Sequence, residues 1–228
     1  GTAANATLFA GIYDGNGDNK ITGNYIGGLN ASDAITINSN WTTTASTAHG
    51  IYCAAGVDTV TNNTISRISL SNTAGIVGFN GIYMATTAAP NLIIDNNTIA
   101  NVTAAYTGAT AGGNVCGIRA SAAGAYGIRT IRNNNIYRLS TATTNTGTGV
   151  AAATTGIIQQ STTAGHVISG NNIHSLTNSA ASAATNIVGF FYNGSTSVTN
   201  TISKNFIHSL GLATSSNSAT TTITGIQI

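Results

Sequence analysis

The stretch VTNNTISRIS, residues 60–69, has five close relatives along the chain: ITGNYIGGLN from Ile21, IIDNNTIANV from Ile93, IRNNNIYRLS from Ile131, ISGNNIHSLT from Ile168 and ISKNFIHSLG from Ile202. Aligned on the Ile that closes the Asn motif (Ile26, Ile65, Ile99, Ile136, Ile173, Ile207), the copies stand 34 to 39 residues apart. A second motif precedes each one: Gly11-Ile12, Gly50-Ile51, Gly81-Ile82, Gly117-Ile118, Gly156-Ile157 and Gly189-Phe190, with Gly225-Ile226 beyond the last. Two motifs alternating in step over the whole length mark a stacked repeat architecture.

The columns of the repeat say what each unit builds. Two residues before the aligned Ile, Asn is invariant: Asn24, Asn63, Asn97, Asn134, Asn171 and Asn205. Five before it stands Ile or Val, and three after it Leu29, Ile68, Val102, Leu139, Leu176 or Leu210. Short β-branched runs bounded by Gly, Asn, Thr and Ser read as strands. Glu is absent from the chain, and no stretch of good helix formers is long enough for a helical solenoid. Strands that recur once per unit stack parallel, each on its equivalent one coil away at ~4.8 Å. A buried Asn at each bend then donates to the Asn of the neighbouring coil, forming a ladder. Asn also tolerates the left-handed backbone that a corner requires. The Ala/Thr/Ser-rich stretches, such as STATTNTGTGVAAATT, are long turns on one side.

The pattern Gly-Ile, turn, Ile-x-x-Asn-x-Ile resembles the right-handed parallel β-helix repeats of the pectin-lyase-like superfamily. That resemblance covers nearly the whole chain and implies an all-β, right-handed parallel β-helix of about six coils, one domain over residues 1–228. It occurs in polysaccharide lyases and hydrolases, in phage tailspikes and in large bacterial surface proteins. The long turns here are most similar to repeats of the last group. The matching residues are ladder positions, so the resemblance specifies the fold and leaves the function open.

Composition narrows the function classes. Apolar residues make up 42% and charged residues only 5%, against about a quarter in an ordinary soluble domain. The formal charge of +2 is spread without a Lys/Arg run, which argues against nucleic acid or an anionic membrane surface as partner. No apolar run is long enough to insert in a membrane as a helix. The chain starts without Met and stops inside a recurring motif, as expected of a mature or excised portion of a longer secreted protein. Cys53 and Cys116 lie two coils apart, beyond disulfide reach, and their parity with Ile51 and Ile118 points both inward.

Chemistry-bearing residues are few. The acids are Asp14, Asp18, Asp33, Asp58 and Asp95. Asp58 and Asp95 occupy different columns, so they do not pair as glycosidase carboxylates do. Asp95 shares its column with Arg132, which predicts a surface ion pair. The resemblance to polysaccharide-active β-helices finds no matching cluster of catalytic acids, and no catalytic residue is assigned. Asp14, Asn16 and Asp18 resemble the start of a calcium loop, but Tyr25 stands where the bidentate Glu belongs. Any calcium bound there is weak, and the competing reading is a plain Gly/Asn/Asp turn. Tyr13, Tyr52 and Tyr83 follow the Gly-Ile motif on three successive coils and form a candidate aromatic face for sugar rings or another subunit. Tyr137, His174 and His208 stack similarly, with no third metal ligand. Trp41 lies alone in the longest turn.

These features favour an extracellular structural or adhesive rod, displayed on a cell surface and associating with itself or with neighbouring domains of the same protein. A glycan-binding module on the tyrosine face is the alternative. A polysaccharide lyase or hydrolase, or an ice-binding solenoid, fits less well, because the acids are scattered and the Thr residues sit in turns of unequal length.

Overall fold

Two left-handed residues per coil turn these short apolar runs into a closed circuit. One residue before each ladder Asn the backbone has positive φ: Gly23, Asn62 (58°), Asn96 (55°), Asn133 (55°), Gly170 and Lys204 (55°). The ladder Asn itself is not left-handed, so the corner chemistry anticipated for it belongs to its neighbour. A second left-handed residue follows two places after the aligned Ile: Arg67 (58°), Asn101 (54°), Arg138 (53°), Ser175 (54°) and Ser209 (54°). In an uninterrupted strand, residues three apart face opposite ways. The left-handed residue resets the alternation, which is why Ile65 and Ile68, or Ile136 and Leu139, are both buried.

The computed structural model describes residues 7–40, 45–56, 59–85, 91–120, 127–161, 163, 165–180, 184–195, 199–213 and 221–228. Trp41 and Asp58 lie outside them. The chain is an all-β parallel solenoid of about five turns, close to the six coils that the spacing predicts. Its only helical pieces among the described residues are three-residue 3-10 turns, at Ala31–Asp33, Ala111–Gly113 and Gly149–Ala151.

Three parallel sheets run along the axis. The first stacks Thr7–Asp14, Ser46–Cys53, Val77–Met84, Val115–Ala120, Thr154–Ser161, Asn186–Gly194 and Thr222–Gln227 in that order. The second is narrow and stacks Lys20–Thr22, Thr59–Thr61, Leu92–Asp95, Arg129–Arg132, Val167–Ser169 and Thr201–Ser203. The third stacks Tyr25–Gly27, Thr64–Leu70, Thr98–Ala104, Asn135–Thr141, Asn172–Asn178 and Phe206–His208, with Ile35–Ile37 and Gly211–Leu212 extending its end strands. Register follows the repeat: Ile12, Ile51, Ile82, Ile118, Ile157, Phe190 and Ile226 are successive partners in the first sheet.

The core is a set of apolar columns from all three sheets, including Ile51, Val60, Ile65, Ile82, Ile94 and Ile99. The Gly-Ile motif exists because of how tightly this core closes. A Cβ on Gly117 would stand 2.6 Å from the Gly156 carbonyl oxygen of the next coil and 2.6 Å from Ile136 Cγ2. Gly50, Gly81, Gly156 and Gly189 meet the equivalent pair of atoms. Only glycine lets the aligned Ile pack against the backbone there.

The Asn ladder runs beside that core. Asn63, Asn97, Asn134 and Asn171 are fully buried, while the end rungs Asn24 and Asn205 are half-buried. On every rung the Oδ1 of one Asn accepts two hydrogen bonds from the preceding Asn, one from its backbone N–H and one from its amide. For Asn97 onto Asn134 both are 3.0 Å. The amide also donates to a backbone carbonyl of the preceding coil, as Asn134 does to Ile94 (3.0 Å). The ladder satisfies polar groups that a dry corner would otherwise strand.

Candidate functional site

The outer face of the first sheet carries a groove of about 570 Å³. The glycine of each Gly-Ile motif interrupts the strand pairing, so residues on either side of it leave the sheet on faces that simple alternation misassigns. His49, Asn80, Cys116 and Thr155, one place before the glycine, line the groove, as do Tyr52, Tyr83, Arg119 and Ile158 two places after it. The Ile between them belongs to the core. Cys116 therefore faces the groove instead of the interior, correcting the parity argument. Cys53 does lie in the core, and both cysteines are buried and outside any disulfide among the described residues. The 3-10 turns at Ala111–Gly113 and Gly149–Ala151 form the groove's walls. They come from the long Ala/Thr/Gly stretches, whose bends raise backbone above the sheet.

The tyrosines expected to share a face do so. Tyr13 and Tyr52 rings lie 5.2 Å apart, tilted by 41°, and Tyr52 and Tyr83 lie 5.3 Å apart at 28°. His49 stacks on both Tyr52 (4.9 Å) and Tyr83 (5.2 Å), and the Arg119 guanidinium sits 5.9 Å from the centre of the Tyr83 ring. The rings are stacked on one another along the axis. Tyr52 and Tyr83 consequently present edges and hydroxyls to the groove, and only Tyr13, 61% exposed, leaves a broad surface open at the end of the column.

The floor is polar but enclosed. The Asn80 amide nitrogen lies 3.4 Å from His49 Nδ1, and Thr155 Oγ1 is buried without a hydrogen-bond partner. Burial, helped by the Arg119 charge, lowers the His49 imidazole to about 4, so it is neutral at physiological pH. Burial, reinforced by Tyr83 and Tyr13, raises the Tyr52 phenol, and burial pushes the Cys116 thiol up to about 12. A thiol so raised is not a nucleophile. No described carboxylate lines the groove. What the arrangement offers a ligand is a set of hydrogen-bonding groups and one cation among aromatic edges.

The other candidates are placed as follows. Asp14 is buried, and its Oδ2 accepts a hydrogen bond from the Asn19 amide at 2.7 Å, while Asn16 and Asp18 are exposed. The Asn19 amide thus engages one of the Asp14 carboxylate oxygens that a calcium ion would use and ties the loop as a turn. Among the described residues no three His, Cys, Asp or Glu gather into a metal-binding group. Tyr137, His174 and His208 stack in nearly parallel planes, 5.0 and 4.8 Å apart. Parallel rings point their nitrogens side by side and do not converge on one ion. Asp95 pairs with Arg132 (2.9 Å) at the surface, as its column predicts.

His49, Asn80, Arg119 and Thr155 were not singled out from the sequence as a site. Their signal was present as a polar or sulfur-bearing column (His49, Asn80, Cys116, Thr155) beside an aromatic one. What hid it was the strand interruption at the glycine and the folding of the turns that wall the groove. No family model, curated protein or solved structure matches the chain. The strand pairing shows a parallel β-solenoid, and no family match supports the pectin-lyase-like superfamily or a bacterial source for it.

Proposed function

We propose that the chain is an extracellular structural or adhesive β-solenoid, a surface rod whose units stack end to end. The observation that carries this reading is the uniform axial register: three parallel sheets, the apolar columns and the Asn ladder repeat from coil to coil along one axis. A coil of this kind presents the same strand edges and apolar columns to whatever coil is added to it, and such an edge is a template for further pairing. Contact between unlike ends is heterologous, and it extends into a filament when it does not close. The low charge and Thr/Ala/Ser/Asn-rich turns support display outside the cell. Multi-angle light scattering over a concentration series tests the stacking. The expected result is a mass that climbs with concentration, and a constant monomer mass overturns it.

A second reading, glycan binding, is favoured by the groove on the first sheet. Hydroxyls of Tyr52 and Tyr83, the Asn80 amide and the Arg119 guanidinium match the hydrogen-bonding rim of a sugar, and the exposed Tyr13 ring can stack on one. Calorimetric titration with neutral and acidic oligosaccharides is the test. Binding that disappears in Arg119→Ala supports it, and absence of heat at millimolar ligand ends it.

A further inference from the structure

The groove on the first sheet changes chemistry along its length, and the change says what kind of ligand it takes. Strands of four successive coils line it: Ser46–Cys53, Val77–Met84, Val115–Ala120 and Thr154–Ser161. At ~4.8 Å per coil its floor is about 14 Å long. Each of these strands has a described partner on both sides, so no part of the groove is an outer edge of the sheet. His49, Asn80 and the hydroxyls of Tyr52 and Tyr83 occupy the first two coils. Val150, Ala151 and Ile158 make the far end apolar, and Arg119 lies one coil before it.

One buried amide holds both walls. Asn145 donates to Asn114 Oδ1 (2.9 Å), next to the Ala111–Gly113 turn, and to the Ala151 carbonyl (2.6 Å) in the Gly149–Ala151 turn. The Asn186 amide donates to the Thr146 and Gly147 carbonyls (both 3.0 Å) just before the second turn. Walls pinned in this way need little ordering when a ligand enters. Two side chains then select the ligand. The Arg119 guanidinium sits 5.9 Å from the centre of the Tyr83 ring, and its charge is felt by both His49 and Cys116, which places it over the floor. Thr155 stands one coil on from Cys116 as its strand partner. Its hydroxyl lines the groove at 1% exposure with no hydrogen-bond partner among the described residues. A hydroxyl buried in that state costs stability, which an acceptor on a ligand recovers.

We propose that the groove binds a small monocarboxylate with a flat apolar body. The carboxylate accepts hydrogen bonds from the Arg119 guanidinium and the Thr155 hydroxyl above Cys116, and the apolar body lies against Ile158, Val150 and Ala151. Charge supports a single anionic group: Arg119 is the one charged side chain among the described lining residues, since no described carboxylate lines the groove and His49 is neutral. A planar guanidinium pairs with a planar carboxylate more strongly than with a neutral acceptor. The volume of about 570 Å³ suits a ligand of this class, and the apolar end rewards burial of a body without hydroxyls. This assignment rests on the groove being a ligand site, the premise it shares with the glycan reading, and it names a different class of ligand.

Heteronuclear magnetic resonance of the full chain, titrated with naphthoate and with its uncharged amide, naphthamide, separates charge from shape. The expected result is a set of saturable shifts centred on Arg119 and Thr155, with the amide bound at least about tenfold more weakly than the acid. Arg119→Met removes that preference, and Arg119→Lys keeps part of it. Thr155→Val keeps the shape of the side chain and removes the buried hydroxyl, so it weakens naphthoate binding about fivefold without lowering the melting temperature. No saturable shifts, equal affinity for acid and amide, or an Arg119→Met or Thr155→Val chain that binds naphthoate like wild type each overturns the proposal. Oligosaccharide titrations on the same samples separate the two readings of the groove. A chain that binds oligosaccharide and ignores naphthoate keeps the glycan reading and loses this one, whereas the reverse keeps this one and loses the glycan.

Discussion

Replacing Asn134 by Ala removes the middle of the ladder, and the structure sets the size of the effect. The Asn134 side chain takes part in hydrogen bonds with Asn97 N (3.0 Å), Asn97 Nδ2 (3.0 Å), the Ile94 carbonyl (3.0 Å) and Asn171 Oδ1 (3.0 Å). At about 1 kcal/mol net for each, the loss is about 4 kcal/mol. The stranded Asn97 N–H, in a corner that water does not reach, pushes it higher. Asn24→Ala is the internal control. Its side chain donates only to Asn63 Oδ1 (2.9 Å) and to the Thr22 carbonyl (3.3 Å) from a half-exposed position, so it costs about 1 kcal/mol. Chemical denaturation of both variants, followed by far-ultraviolet circular dichroism, gives the comparison. Because coils in a solenoid can unfold separately, hydrogen exchange should place the Asn134→Ala defect in the coils flanking residue 134. If the two variants fall within 1 kcal/mol of each other, the ladder is not the polar spine described above.

Three further expectations follow from other parts of the molecule. Gly117→Ala drives a methyl into the Gly156 carbonyl and Ile136 and should lower the melting temperature by many degrees, while Gly225→Ala, with nothing within 4 Å, leaves it unchanged. Arg132→Ala should cost no more than about 1 kcal/mol, and less in high salt, because the partner of Asp95 is half exposed; thermal melts at two ionic strengths check this. His49 has a folded-state pKa of about 4, below its value of 6.5 in the unfolded chain, so the unfolded state takes up the proton first. Its contribution is fully present above pH 6.5 and is lost as the pH falls towards 4. His49→Gln should flatten that part of the stability profile, and an unchanged profile would place the lowered imidazole elsewhere.

Much of this fold is legible in the sequence because the repeat writes the same physics six times. The aligned Ile, the ladder Asn and the Gly-Ile pair each report a contact with the same residue one coil away, so periodicity alone reveals them. The left-handed residues were harder to assign. Asn62, Asn96 and Asn133 share their corner position with Gly23, Gly170 and Lys204, and Arg67 and Arg138 share theirs with Asn101 and Ser175. No single residue type marks either column, because the corner selects a backbone angle and not a side chain. The groove was legible only in part. The Tyr13, Tyr52 and Tyr83 column was visible, but the direction of His49 and Cys116 depends on the strand interruption at the following glycine. Its walls depend on how two low-complexity turns fold, and such segments carry no periodic signal.

Electron microscopy of the purified chain at rising concentration, combined with fibre diffraction, tests the central claim most directly. A parallel solenoid whose copies stack should give rods one chain wide and many chains long, with a meridional reflection at ~4.8 Å showing strands perpendicular to the rod axis. Discrete particles one chain long at every concentration would contradict it.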